Sequence, residues 1–126
     1  MARLRIISGV FGGRWISADV GRATHPMGDR VRSAMFSMLE SRGVLADAEI
    51  LDAFAGTGAI GLEAISRGAK SATFLEKDRR AANIIDENIT TLGVTSQAKV
   101  IRTGVSSWTE TNTDGKYDII FVDPPY

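Results

Sequence analysis

The chain has 126 residues, 44% apolar and 24% charged, which suits one globular domain with a core of its own. No apolar run reaches membrane-span length and the run around Ile6 is too short for a signal peptide, so a cytoplasmic protein with no membrane partner is expected. The lack of cysteine excludes disulfides and thiolate metal sites, and with His25 the single histidine, no metal is expected. The zero net charge hides an asymmetry: residues 1–32 carry six arginines against Asp19 and Asp29, a balance of +4, and residues 33–126 carry −4. An arginine-only leading segment reads either as a solvated surface or as a nucleic-acid-facing arm, because guanidinium matches phosphate bidentately.

Residues 4–8 and 14–18 are β-prone runs around Gly9-Val10-Phe11-Gly12-Gly13, the pattern of a β-hairpin. Phe11 at its tip either stacks on a partner or folds back onto the domain. Residues 20–28 read as a loop, in which Pro26 disfavours helix at His25. A helix starts near Asp29, whose carboxylate offsets unsatisfied amide donors. Val31, Met35, Met38 and Leu39 form its apolar stripe and Gly43 its stop. Arg30 and Arg32 lie off that stripe, facing solvent or a ligand.

Residues 50–61, Ile-Leu-Asp-Ala-Phe-Ala-Gly-Thr-Gly-Ala-Ile-Gly, read as a buried strand ending in a glycine loop that opens a helix. Gly56, Gly58 and Gly61 have the G-x-G-x-x-G spacing that brings backbone close to a nucleotide cofactor, although an ordinary tight turn has the same outline. A helix over 59–67 follows, with Ile60, Leu62, Ala64 and Ile65 inside and Gly68 as its cap. Residues 71–75 form a strand ending in Glu76. A helix over 78–92 buries Ala81, Ile85, Ile89 and Leu92. Residues 98–102 are a third strand, followed by a polar loop around Trp108. Residues 117–122 are a fourth, apolar enough to be buried on both faces, delivering Asp123-Pro124-Pro125-Tyr126.

Alternating strands and helices predict an α/β fold with a parallel sheet, whose ligands sit outside the carboxyl ends of the strands. Asp52, the glycine loop, Glu76, Thr103 and Asp123 all fall at those ends. Glu76 can accept hydrogen bonds from ribose hydroxyls, which fits a dinucleotide or S-adenosylmethionine. Asp52, four residues before Gly56, would repel a pyrophosphate but suits a cationic amino acid end, and so favours S-adenosylmethionine. The Asp123 carboxylate and Pro124 carbonyl can accept from an exocyclic base amino group and aim its lone pair. Pro124 and Pro125 stiffen the backbone, and Tyr126 offers a face for an unstacked base.

These motifs, with the leading residues 5–14 (Arg-Ile-Ile-Ser-Gly-Val-Phe-Gly-Gly-Arg) and Asp29-Arg30-Val31-Arg32, resemble the RsmD family over essentially the whole chain. Those bacterial enzymes methylate the N2 amino group of one guanine in 16S ribosomal RNA with S-adenosylmethionine. The resemblance implies a Rossmann-like methyltransferase domain over residues 29–126, behind an RNA-facing hairpin and loop over residues 1–28. It implies cofactor contacts from Asp52, Phe54, Gly56, Thr57, Gly58, Glu76, Lys77, Thr103 and Gly104, with Asp123, Pro124, Pro125 and Tyr126 on the target guanine. Arg3, Arg5, Phe11, Arg14, Arg30 and Arg32 would meet RNA, the last two lying near the cofactor carboxylate or the RNA. The partner would be 16S ribosomal RNA, in the small subunit or an assembly intermediate.

The family pattern has Arg-Pro-Thr where this chain has His25-Pro26-Met27, and often a carboxylate or amide where it has Thr103-Gly104. The family's sheet continues past Asp-Pro-Pro-Tyr, so the expectation is a fragment or shortened chain with carboxyl-terminal strands missing and an apolar edge at its fourth strand. A non-catalytic binding module, an amino methyltransferase acting on DNA adenine or protein, and a dinucleotide oxidoreductase are the other readings.

Overall fold

In the computed structural model, which describes residues 3–18, 28–111 and 115–124, strand β3 (Glu49–Asp52) lies between β4 (Ser71–Leu75) and β6 (Ile119–Phe121). With β5 (Ala98–Ile101) outside β4, the sheet runs β5-β4-β3-β6, all parallel. Asp52 is level with Phe74 on one neighbour and Phe121 on the other. The chain builds from β3 outward through β4 and β5 and then returns to the other side of β3. That reversal opens a crevice between the carboxyl ends of β3 and β6.

The two faces of the sheet follow the two-residue alternation of its strands. Ile50, Ala72, Phe74 and Phe121 face the larger core, shared with Phe36 of α1 (Asp29–Ser41), Leu62 of α2 (Ala59–Ser66) and Ile85 of α3 (Arg79–Leu92). Leu51 and Leu75 face the other way and pack under Trp108. Trp108 belongs to α4 (Val105–Thr111), where a polar loop was expected from composition. A buried tryptophan is what docks this short helix, since seven residues have little helical stability of their own. The carboxyl-terminal strand differs too. It is three residues long, pairs only with β3 among the described residues, and leaves Ile120 and Val122 exposed instead of buried on both faces. An apolar β6 edge is therefore present, as expected.

Helix α1 departs from its predicted orientation. Val31 and Met38 are 58% and 47% exposed, and the buried residues are Arg32 and Phe36. Positions 32, 35, 36 and 39 fit a helical stripe as well as positions 31, 35, 38 and 39 do, so periodicity admitted both faces. The inward turn of an arginine requires an internal anion, and Glu63 of α2 supplies it.

The amino-terminal strands β1 (Arg3–Arg5) and β2 (Trp15–Ser17) form the expected antiparallel hairpin. It is fastened to α2. Glu63 accepts hydrogen bonds from the Ile7 and Ser8 amides at 2.9 and 3.1 Å, and Ser66 binds the backbone of Ser8, Val10 and Phe11. A Cβ at Gly9 would overlap the Ser66 carbonyl, so only glycine lets the turn approach this closely. With Ile6 and Ile16 also in the main core, α2 is buried along its entire length.

Candidate functional site

The site is built at the carboxyl edge of β3, β4 and β6. Past the end of β3, the Ala53 amide bonds the Phe121 carbonyl and the Ala55 amide bonds the Leu75 carbonyl, so the glycine loop stays stitched to both neighbouring strands. Gly56 and Gly58 then take φ of 58° and 85°, left-handed conformations that a side chain would disfavour. Space beside Gly56 is open, with nothing within 4 Å of where its Cβ would stand. The third glycine has another purpose: a Cβ at Gly61 would overlap the Phe74 ring, so it permits α2 to lie close against β4.

Three carboxylates converge on this edge. Asp52 is buried and accepts a hydrogen bond from the Gly61 amide at 3.2 Å. Burial raises its pKa to about 7; the Gly61 amide opposes the shift, and the negative charges of Asp123 and Glu76 reinforce it. Asp123 and Glu76 are thus each within electrostatic reach of Asp52. Glu76, half-buried, accepts from the Gly56 amide through one oxygen and the Asp78 amide through the other, each at 2.8 Å. A carboxylate offers about four acceptor positions, so two remain for hydroxyl donors. Asp123 is exposed just beyond β6, with Pro124 half-buried beside it.

The remaining sequence-predicted residues divide. Phe54 and Thr57 are half-buried in the loop, Lys77 is exposed next to Glu76, and Thr103 and Gly104 follow β5 on the same edge. Pro125 and Tyr126 lie outside the described residues, as do His25, Pro26 and Met27. Arg3, Arg5, Arg14 and Arg30 are exposed. Phe11 folds back: it is half-buried against the main core with the Arg14 guanidinium 5.6 Å from its ring centre. Arg32 is corrected from a surface to an interior position, where it donates to the Arg5 carbonyl at 2.8 Å and pairs with Asp29 at 3.2 Å. Its Nε stands 3.9 Å from Glu63, too far for a hydrogen bond.

Two supporting residues were not singled out in the sequence. Glu63 is one carboxylate in the otherwise apolar run of α2. The other is Asn88, which accepts from the Ser17 amide at 2.7 Å and donates to the carbonyls of Ser17 and Thr57 at 3.0 Å each. It therefore joins the hairpin, α3 and the glycine loop. Asn88 sits seven residues after Ala81, on the stripe that also holds Ile85, Ile89 and Leu92. A polar residue on a buried stripe was the available signal.

The donor set suits S-adenosylmethionine. The open space at Gly56, the spare acceptor positions on Glu76 and the carboxyl of Asp52 are groups that could hold the sugar and amino acid portions of that molecule.

Comparison with known proteins places this chain in a family. The pattern of the family described as Conserved hypothetical protein 95 matches residues 4–126. Ribosomal RNA small subunit methyltransferase D of Haemophilus influenzae is 38% identical over 125 residues, which cover 98% of this chain and 64% of that protein. The protein of the same name from Escherichia coli K12 is 38% identical over 124 residues, covering 98% and 61%. Among solved structures, the methyltransferase yhhF of Escherichia coli superposes with a TM-score of 0.87 at 38% identity, covering 99% of this chain and 65% of that one. A hypothetical protein from Thermus thermophilus gives 0.86 at 31% identity, covering 98% and 70%. The chain thus spans under two thirds of the length of these curated relatives. Its fold is the Rossmann-like fold of the methyltransferases, and the chain belongs to the conserved hypothetical protein 95 family, the family of ribosomal RNA small subunit methyltransferase D.

Proposed function

We propose that this chain carries the cofactor site and base-facing edge of an S-adenosylmethionine-dependent methyltransferase acting on the N2 amino group of a guanine in 16S ribosomal RNA. The observation that carries the reading is the meeting of Asp52, the glycine loop, Glu76 and Asp123 along the carboxyl edge of β4, β3 and β6. When bound, the cofactor supplies a methyl group on an electrophilic sulfonium. In this reading Asp52 faces the amino acid end, Glu76 holds the ribose with its unused acceptor positions, and Phe54, Thr57, Lys77, Thr103 and Gly104 complete the surround. Asp123 and the Pro124 carbonyl accept hydrogen bonds from the guanine amino group and hold its lone pair in line for transfer, and Asp123 takes the proton the nitrogen releases. Pro125 and Tyr126 extend that base contact. The arginine-rich hairpin meets the RNA, in the small subunit or an assembly intermediate, and the protein works in the cytoplasm.

The test is methyl transfer from labelled S-adenosylmethionine to unmodified small ribosomal subunits, followed by digestion to nucleosides. Label in N2-methylguanosine is expected. Label in a methylated adenine would redirect the substrate, and cofactor binding without any label would mark a binding module. Asp123→Ala is expected to lower transfer by about 100-fold or more, the loss typical of a preorganised transition-state contact, while leaving cofactor affinity within about twofold. Full activity in that variant would remove Asp123 from the reaction.

A further inference from the structure

The hairpin carries two aromatic side chains, and they have opposite fates. Phe11 is folded against the core, whereas Trp15 is 48% exposed. Strand register explains the difference. Leu4 pairs with Ile16, and both turn toward the domain; Arg5 pairs with Trp15 and Arg3 with Ser17, and this second set shares the outer face. On that face the Arg3 guanidinium lies 4.8 Å from the centre of the Trp15 ring and that of Arg5 lies 5.7 Å away. Both are within cation–π range, so the ring is held in place by two cations instead of by a core.

Resting on the reading above as an RNA methyltransferase, we propose that Trp15 is a stacking platform for an unpaired RNA base, with Arg3 and Arg5 neutralising the phosphates on either side of it. The chemistry selects this ligand. Indole offers an apolar π-face that any base can cover, and guanidinium groups match phosphate oxygens bidentately. A helical duplex keeps its base faces stacked, so the substrate presents a loop or single strand at the hairpin. A protein partner would call for an apolar surround, but among the described residues this face of the hairpin sets Trp15 beside two arginines and Ser17, whose hydroxyl donates to Glu87. The role of aromatic contact thereby goes to Trp15 and not to Phe11, the residue that the family resemblance implied; Phe11 takes the other course its sequence left open and folds back.

Fluorescence anisotropy with a labelled single-stranded, guanine-containing RNA of about 12 nucleotides, within the usual span of a single-strand site, tests this. Trp15→Leu keeps apolar bulk but has no π-face, and is expected to weaken binding about 5- to 150-fold. Trp15→Phe is expected to stay within a few-fold of the parent. The salt dependence of binding should be unchanged in both, while Arg5→Gln should lower its slope by about one. Equal RNA affinity for Trp15→Leu and the parent would overturn the platform and leave the RNA reading intact. A parent chain that binds no RNA would overturn that reading together with the platform.

Discussion

Asp52 shows how much of the site chemistry is set at a single residue. Its carboxyl has a pKa near 7 in the fold against 3.8 for the free group, mainly because it is buried, with Asp123 and Glu76 adding like charge. The folded state therefore holds a proton between about pH 4 and pH 7 that the unfolded chain has already released. Stability contributed by this group falls as pH rises through that window and levels off above it. The change is on the order of 4 kcal/mol as an upper figure. Asp52→Asn should remove this slope in urea denaturation followed from pH 4 to 8; a variant and a parent with parallel pH profiles would contradict the buried-acid account. The same linkage predicts that S-adenosylmethionine binding releases a proton near neutrality, because a cation beside Asp52 favours its charged form. Cofactor affinity in the parent should then rise up to about pH 7, and be flat over that range in Asp52→Asn.

The hairpin and α2 behave as one element, and Glu63 is the reason. One buried carboxylate accepts from two hairpin amides and from Arg67 Nε at 2.7 Å, with Arg32 alongside. Arg67 continues to Glu40 on α1 at 2.9 Å and stacks over Phe36. Removing the carboxylate would leave Arg67 Nε and two amides without their shared acceptor, and the buried Arg32 without its interior counter-charge. Glu63→Ala is therefore expected to cost about 3–5 kcal/mol, the range for breaking a buried ion pair, and to expose residues 6–14 to protease before the rest of the domain. A loss under about 1 kcal/mol would show that solvent replaces the network. The same interaction explains the turned face of α1. Read alone, an arginine belongs on the outside of a helix; only the position of α2 shows that an anion awaits it inside.

At the scale of the whole molecule, Asn88 connects the basic hairpin to the glycine loop. Its side chain is buried and, among the described residues, makes three hydrogen bonds to backbone, two to β2 and one to Thr57. Replacement by alanine removes three buried hydrogen bonds to backbone, and a loss of about 3 kcal/mol is expected from denaturant midpoints. Asn88→Asp, which keeps the acceptor for the Ser17 amide but buries a carboxylate oxygen against both carbonyls, should lose at least as much at neutral pH. If the aspartate variant were as stable as the parent, the Thr57 link would have no energetic weight.

The order of elements, the parallel sheet, the hairpin and the carboxylates at the strand ends were legible from the sequence because each depends on local rules. Glycine spacing, strand alternation and caps act over a few residues, and a parallel sheet brings its strand ends to one edge. Helix α4 was hidden because its seven residues fold on a distant surface, the Leu51–Leu75 face that receives Trp108. The burial of Arg32, the inward fold of Phe11 and the outward position of Trp15 were decided by partners far along the chain: Glu63, Ser66 and the β1–β2 register. A charged or aromatic side chain takes whichever side satisfies it, and what satisfies it is set by tertiary packing.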